Sequence, residues 1–180
     1  MYTVFSLSKT ETVYIGVHIR RSDMVFDPKY TVADARYFRR AVYFMKRNFM
    51  QHQLVFVVCS DDIAWSKQNF PPAVSQAIDV HVTVADNRRN SDHISAKLKN
   101  TTQSSTRTVI VFSENQAPEV DLAILSSCNH TLMTVGTYGW WAAYLAGGLT
   151  TYYRNFPGKN SELYKSFSRQ DHFPPEWVGL

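Results

Sequence analysis

Cysteine is scarce in this sequence: Cys59 and Cys128 are the two among 180 residues. They stand at no metal-ligand spacing and form no disulfide framework, which leaves the redox compartment open. A dominant charge sign is missing too. Lys and Arg total 19 against 15 Asp and Glu, for a net +4 and a pI near 9.1. That balance permits an anionic ligand but is too weak and too scattered for a nucleic-acid groove. Among the seven glycines there is no G-x-x-x-x-G-K-[ST] and no G-x-G-x-x-G after a strand. Phosphate-loop ATPases and the usual dinucleotide fingerprint are thereby excluded. Asp-x-Asp is absent, and Asp61-Asp62 stand adjacent without a metal-ligand constellation around them. The opening MYTVFSLSKTETVYIG lacks the basic, apolar, small-residue order of a signal peptide.

What is present is apolar and patterned. Hydrophobic residues make up 44%, with eleven Phe, ten Tyr and four Trp, enough for a sizeable core in one domain of ordinary size or one half of a two-lobed protein. Thr131 to Tyr153 runs 23 residues without a charge, long enough to cross a membrane. Its four Gly and five Thr break it instead into a strand (Thr131–Val135), a helix (Thr137–Leu145), a Gly147-Gly148 turn and a strand (Leu149–Tyr153). Upstream, strands are predicted at Thr12–Ile19, Leu54–Ser60, Ile78–Ala85 and Thr108–Phe112. Helices are predicted at Val32–Asn48, from Asp61-Asp62 to a stop at Pro71-Pro72, and at Pro118–Cys128. Residues 86–107 are polar and Ser/Thr-rich, and read as a mobile insertion. Strand and helix alternate, and the strands read as buried on both faces. The fold class is α/β, a parallel layered sheet.

In such a sheet ligands sit at the carboxyl ends of the strands. The first strand exits into His18, Arg20, Arg21 and Asp23, and the second into Ser60, Asp61 and Asp62. The third exit, TVGTYG, brings Thr134, Gly136, Thr137, Tyr138 and Gly139 to the start of a helix. A small-residue turn opening a helix presents free N–H groups and the positive end of the dipole to a phosphate. Paired arginines supply forked contacts to the same kind of group. A diphosphate handled by cationic side chains without a metal is the ligand these exits suggest. His18 shares Arg20's side of the strand. Arg21 either assists or points to the other face to pair with a carboxylate such as Asp23.

The blocks VYIGVHIRRSD, FVVCSDDIAWSKQNF and DLAILSSCNHTLMTVGTYGWWAAYLAGG resemble the signatures of the α-1,2-fucosyltransferases, glycosyltransferase family 11. The likeness runs from Val13 to the closing FPPEWVGL, with Ser22 where the family has Gly. It implies a Rossmann-like sheet forming the C-terminal lobe of a GT-B glycosyltransferase. Residues 1–180 would be a single donor-binding lobe, with the acceptor lobe and membrane anchor lying outside this chain.

The implied reaction is inverting and metal-independent: fucose moves from GDP-fucose to O2 of a terminal galactose on a glycan acceptor. No cofactor and no nucleic acid take part, and the implied location is the lumenal side of the Golgi membrane. Arg20 becomes the expected contact to the departing diphosphate, with Arg21 as its possible assistant. His18 is expected near the guanine, as in α-1,6- and protein-O-fucosyltransferases. Asp121 is expected on guanine N1–H and N2–H, its alternative being a helix-start acid. Thr137, with Tyr138 and Gly139, is expected at the β-phosphate, capping being the alternative. Asp61, Asp62 and Tyr37 match positions important in those relatives, and could equally be cap or core residues. Trp140, Trp141 and Tyr144 read as core. Asn100 and Asn129 begin glycosylation sequons, Asn100 the better placed. No general base stands out. Two rival readings are a non-catalytic GDP-sugar-binding remnant and a generic phosphate- or nucleic-acid-binding module.

Overall fold

The computed structural model describes residues 11–27, 29–78, 82–85 and 108–180. Alternation at Val13, Ile15, Val17 and Ile19 gives β1 (Thr12–Ile19), and all four side chains are buried. β2 (Gln53–Ser60), β3 (Val82–Ala85), β4 (Thr108–Phe112), β5 (His130–Met133), β6 (Thr150–Tyr152) and β7 (Val178–Gly179) complete one sheet. Its order is β3-β4-β2-β1-β5-β6-β7, and every pairing is parallel. His18 lies level with Cys59 on one side and Met133 on the other, while Val58 pairs with Phe112. This register brings the exits of β1, β2, β4 and β5 to one edge.

Helices cover both faces. On one, α1 (Ala35–Asn48) packs Phe38, Ala41, Val42 and Met45 onto the odd-numbered side chains of β1, beside α2 (Ile63–Ile78). α1 begins at Ala35, later than its pattern suggested, because the Asp34 carboxylate caps it through the Tyr37 N–H at 2.9 Å. On the other face lie α3 (Pro118–Ser126) and α4 (Thr137–Ala146). Gly16 lets α3 approach β1 closely: a Cβ there would lie 3.2 Å from Leu125 Cδ2 and 3.3 Å from the Leu125 carbonyl oxygen.

Pro71-Pro72 does not end α2, which continues to Ile78. Two prolines cost a helix its bonds to the carbonyls four residues back. Those carbonyls belong to Lys67 and Gln68, both exposed residues, while Phe70, Ala73 and Val74 are buried and carry the helix onward. Ile78 accordingly belongs to α2 and not to the predicted strand, which is described from Val82 to Ala85 while residues 79–81 lie outside the described residues. The 86–107 segment and Asn100 lie outside the described residues. Trp141 and Tyr144 are 53% and 56% exposed, so they are not core, contrary to expectation.

The long uncharged run resolves into β5, α4 and β6, as its glycines suggested. Gly147 ends α4 in the left-handed conformation at φ 69°. No described helix is long and apolar enough to cross a membrane. Beyond β6, α5 (Glu162–Ser166), α6 (Arg169–His172) and β7 seal the sheet edge, with Phe173 stacked on Tyr152 and Trp177 in the same cluster.

Candidate functional site

From β1 the chain runs to β2 on one side, and from β5 through β6 to β7 on the other. A crevice opens outside the carboxyl ends where strand order reverses in this way. A cavity of about 480 Å³ lies there, walled by residues leaving β1, β2, β4 and β5. It gathers His18, Arg20, Asp61, Asp121, Thr137 and Tyr138, which are far apart in sequence.

Arg20 leaves β1 with its backbone N–H bonded to Thr134 Oγ1 at 2.9 Å, which ties the exits of β1 and β5 together. Its guanidinium reaches Asp61 Oδ2 through Nη1 and Asp23 Oδ1 through Nη2, both at 2.7 Å. Arg21 takes the other direction. Its guanidinium lies 4.1 Å from the centre of the Trp65 ring and pairs with Asp62 at 3.6 Å, away from the cavity. Arg21 thus does not line the cavity, against its reading as an assistant to Arg20, and the carboxylate it pairs with is Asp62, while Asp23 is engaged by Arg20.

His18 is buried beneath α4, its ring 5.2 Å from that of Tyr138. Burial drives its pKa down to about 4; Asp61 opposes that shift and Arg20 adds to it. The ring is therefore neutral near pH 7. Its Nδ1 is buried without a hydrogen-bond partner. Gly139 exists for this approach, since a Cβ there would sit 2.3 Å from Nδ1.

α4 starts at Thr137 behind Gly136, which has φ 92° and no side chain to cap the first turn. Gly136, Thr137 and Tyr138 face the cavity from this uncapped N-terminus, on the same side as Arg20. Tyr138 ties α4 to the start of α3 by donating its hydroxyl to the Pro118 carbonyl. Burial, with Asp121, Cys59 and Glu119 adding, pushes that phenol up to about 12.

Asp121 stands in the first turn of α3 and accepts the Ser113 hydroxyl on Oδ1 at 2.6 Å. Asp61 takes the Arg21 backbone N–H as well as the Arg20 guanidinium, whereas Asp62 caps α2 through the Trp65 N–H. Tyr37 is not brought to the cavity. It is fully buried in α1, with its hydroxyl donating to the carbonyls of Met133 (2.5 Å) and Thr151 (3.3 Å). Burial raises its pKa strongly, and its place is in the core. Asn129 is exposed, and its Oδ1 accepts the Tyr14 N–H at 2.9 Å.

Ser113 and Gln116 were missed. They sit in the exit of β4, and Gln116 and Pro118 line the cavity. Their signal is the polar run Ser113-Glu114-Asn115-Gln116 directly after an apolar strand, the same pattern as at the other exits. Among the described residues, no group of three or more His, Cys, Asp or Glu could hold a metal ion. What the cavity offers is a guanidinium, an open helix N-terminus, a neutral imidazole and a carboxylate held by a serine. That set suits an anionic group attached to a hydrogen-bonding ring.

The model of the family described as glycosyl transferase family 11 matches residues 3–92 and 90–180. The chain is similar to galactoside 2-alpha-L-fucosyltransferase SEC1 of Bos taurus, 37% identical over 176 residues, covering 94% of this chain and 38% of that protein. It is 34% identical to galactoside alpha-(1,2)-fucosyltransferase 2 of Sus scrofa, covering 94% and 42%. Against galactoside alpha-(1,2)-fucosyltransferase 1 of Homo sapiens the figures are 35%, 93% and 38%. The chain thus spans about two-fifths of the length of these relatives. No solved structure matches it.

Proposed function

The chain belongs to glycosyl transferase family 11, and from that premise we propose that it is the donor-binding lobe of a GT-B enzyme moving L-fucose from GDP-fucose to O2 of a terminal galactose. One observation carries this reading: an arginine fork and an uncapped helix N-terminus face a single cavity at the reversal point of the sheet. The galactoside α-1,2-fucosyltransferase names of the relatives supply the sugar and the linkage. The acceptor glycan, the Golgi lumenal setting and an anchor outside these residues belong to the same proposal.

The diphosphate takes the first-turn N–H groups of α4, with Thr137 and Tyr138, and the Arg20 guanidinium. When the bond between fucose C1 and the β-phosphate oxygen breaks, its electron pair stays on that oxygen. The charge that grows there meets fixed donors in place of a metal, the largest electrostatic term available to such a site. The galactose O2 hydroxyl attacks C1 from the opposite face, which inverts the configuration, and its proton is lost to water as the new bond forms. Asp121 reads the guanine edge, accepting from N1–H and N2–H, donors adenine lacks at those positions. The Ser113 bond holds its carboxylate in place. Neutral His18 borders the nucleoside.

Calorimetry with GDP, ADP and UDP on the chain tests this. GDP should bind best, and Asp121→Ala should weaken it by about 1–3 kcal/mol, to the level of the other two. Equal affinities would refute guanine reading by Asp121. No binding of any nucleoside diphosphate would remove the donor site altogether.

A further inference from the structure

Both arms of the Arg20 fork are engaged by carboxylates. Asp61 holds Nη1 and Asp23 holds Nη2, each at 2.7 Å. These two contacts use two of the guanidinium's five N–H donors, and a phosphate taking both Nη groups as a fork competes with them. The two carboxylates are held very differently. Asp61 also accepts the Arg21 N–H at 2.9 Å, its carbonyl takes the Ser22 hydroxyl at 3.0 Å, and its side chain is 21% exposed. Asp23 is 68% exposed and stands on a single 3-10 turn, Asp23–Val25, that buries no residue. That turn is fastened by the Val25 N–H on the Arg21 carbonyl (3.1 Å) and the Phe26 N–H on the Asp23 carbonyl (3.3 Å).

We infer that Asp23 is a positioning residue for fucosyl transfer: it occupies Arg20 as a stand-in for the donor's phosphate and yields to the diphosphate on binding. This rests on the donor reading above. Paired with Asp23, the guanidinium is neutralised beside the cavity. Because the exchange is anion for anion, it is driven by the charge that arrives. It is therefore driven hardest by GDP once the glycosidic bond has broken, which places Arg20's full engagement late on the reaction path.

The test is calorimetry of the whole chain with GDP and with inorganic pyrophosphate, comparing wild type with Asp23→Asn and Asp23→Ala. Amide exchange at Val25 and Phe26 is followed alongside. Both variants should bind both probes about 2- to 5-fold tighter at low salt, the scale of one exposed ion pair. The gain should shrink as salt screens it. In the wild type, GDP should speed exchange at the two amides as the turn lets go. A purely structural Asp23 predicts the opposite sign, weaker binding in the variants. Unchanged or weaker binding, with wild type still taking GDP, overturns the inference and leaves the donor site standing. Tighter binding without faster exchange also overturns it, because Asp23 then stays on Arg20 and only repels the ligand. Wild type that takes no GDP brings down the donor reading and this inference together.

Discussion

Arg20 sits where one side chain can separate charge from geometry. Lysine at this position keeps the positive charge but loses the planar fork that now spans Asp61 and Asp23. In an enzyme form carrying both lobes, Arg20→Lys is expected to lower kcat at least about 10²-fold, the scale of losing one preorganised donor. KM for GDP-fucose should change far less, because under the proposed role the contact strengthens as the leaving group gains charge. Circular dichroism and melting should stay close to wild type, since the side chain lies in the wall of an open cavity. A fully active Arg20→Lys enzyme would return this arginine to structure. At this scale much of the site was legible. The two-residue period of β1 put His18 and Arg20 on one side, and the cavity holds both. Arg21 and Tyr37 show the limit. Adjacency could not reveal that Trp65 stacks under Arg21, nor could matching a position show that Tyr37 bonds two carbonyls inside the core.

Between β1 and α4 the fit is set by one missing side chain. Gly139 lies in the first turn of α4, and a Cβ there would meet Nδ1, Cγ and Cε1 of His18 at 2.3, 3.0 and 3.2 Å. The imidazole is buried and has little room to retreat. Gly139→Ala should therefore push the helix start away from the strand end, costing about 1–3 kcal/mol of stability as overpacking does. GDP affinity should fall with it, because the same turn supplies the N–H groups proposed to hold the phosphate. Melting and calorimetry on one sample check both, and an alanine variant with wild-type stability and affinity would contradict the close packing. The need for this glycine was not visible in TVGTYG, where it read as part of a phosphate turn. Element types themselves were legible, since alternation in β1 and the three-four spacing of α1 are local signals. The exceptions were decided by contacts distant in sequence. Pro71-Pro72 stays helical because its neighbours are buried, and two-residue β7 forms because the Leu180 N–H finds the Tyr152 carbonyl at 3.0 Å.

For the molecule as a whole, the insertion of β4 between β3 and β2 is the least legible feature. No local pattern encodes which strands become neighbours, yet this order sets the β4 exit, with Ser113, Gln116 and Asp121, beside the exits of β2 and β1. Closing that sheet under α4 buries His18 at its centre, which ties global stability to one proton. The folded pKa of His18 is about 4, against 6.5 for an unperturbed histidine. Above pH 6.5 the ring is neutral in both states and contributes no pH dependence. Between 6.5 and 4 the unfolded chain takes up a proton that the folded chain refuses, so stability falls as pH falls through that window. At pH 4.5 the loss from this group is about 2–3 kcal/mol, and below pH 4 it grows no further. His130 and His172 are also shifted down by burial and push the same way, so the contribution has to be isolated by difference. Denaturant melts of wild type and His18→Gln from pH 7 to pH 4.5 do that: the variant should lack about 2 kcal/mol of the wild-type decline. Parallel curves would mean that the ring reaches solvent in the folded state. A wild-type excess of the expected size would place a neutral imidazole at the floor of the cavity throughout pH 6 to 8, where it would border the proposed nucleoside without competing with Arg20 for the phosphate.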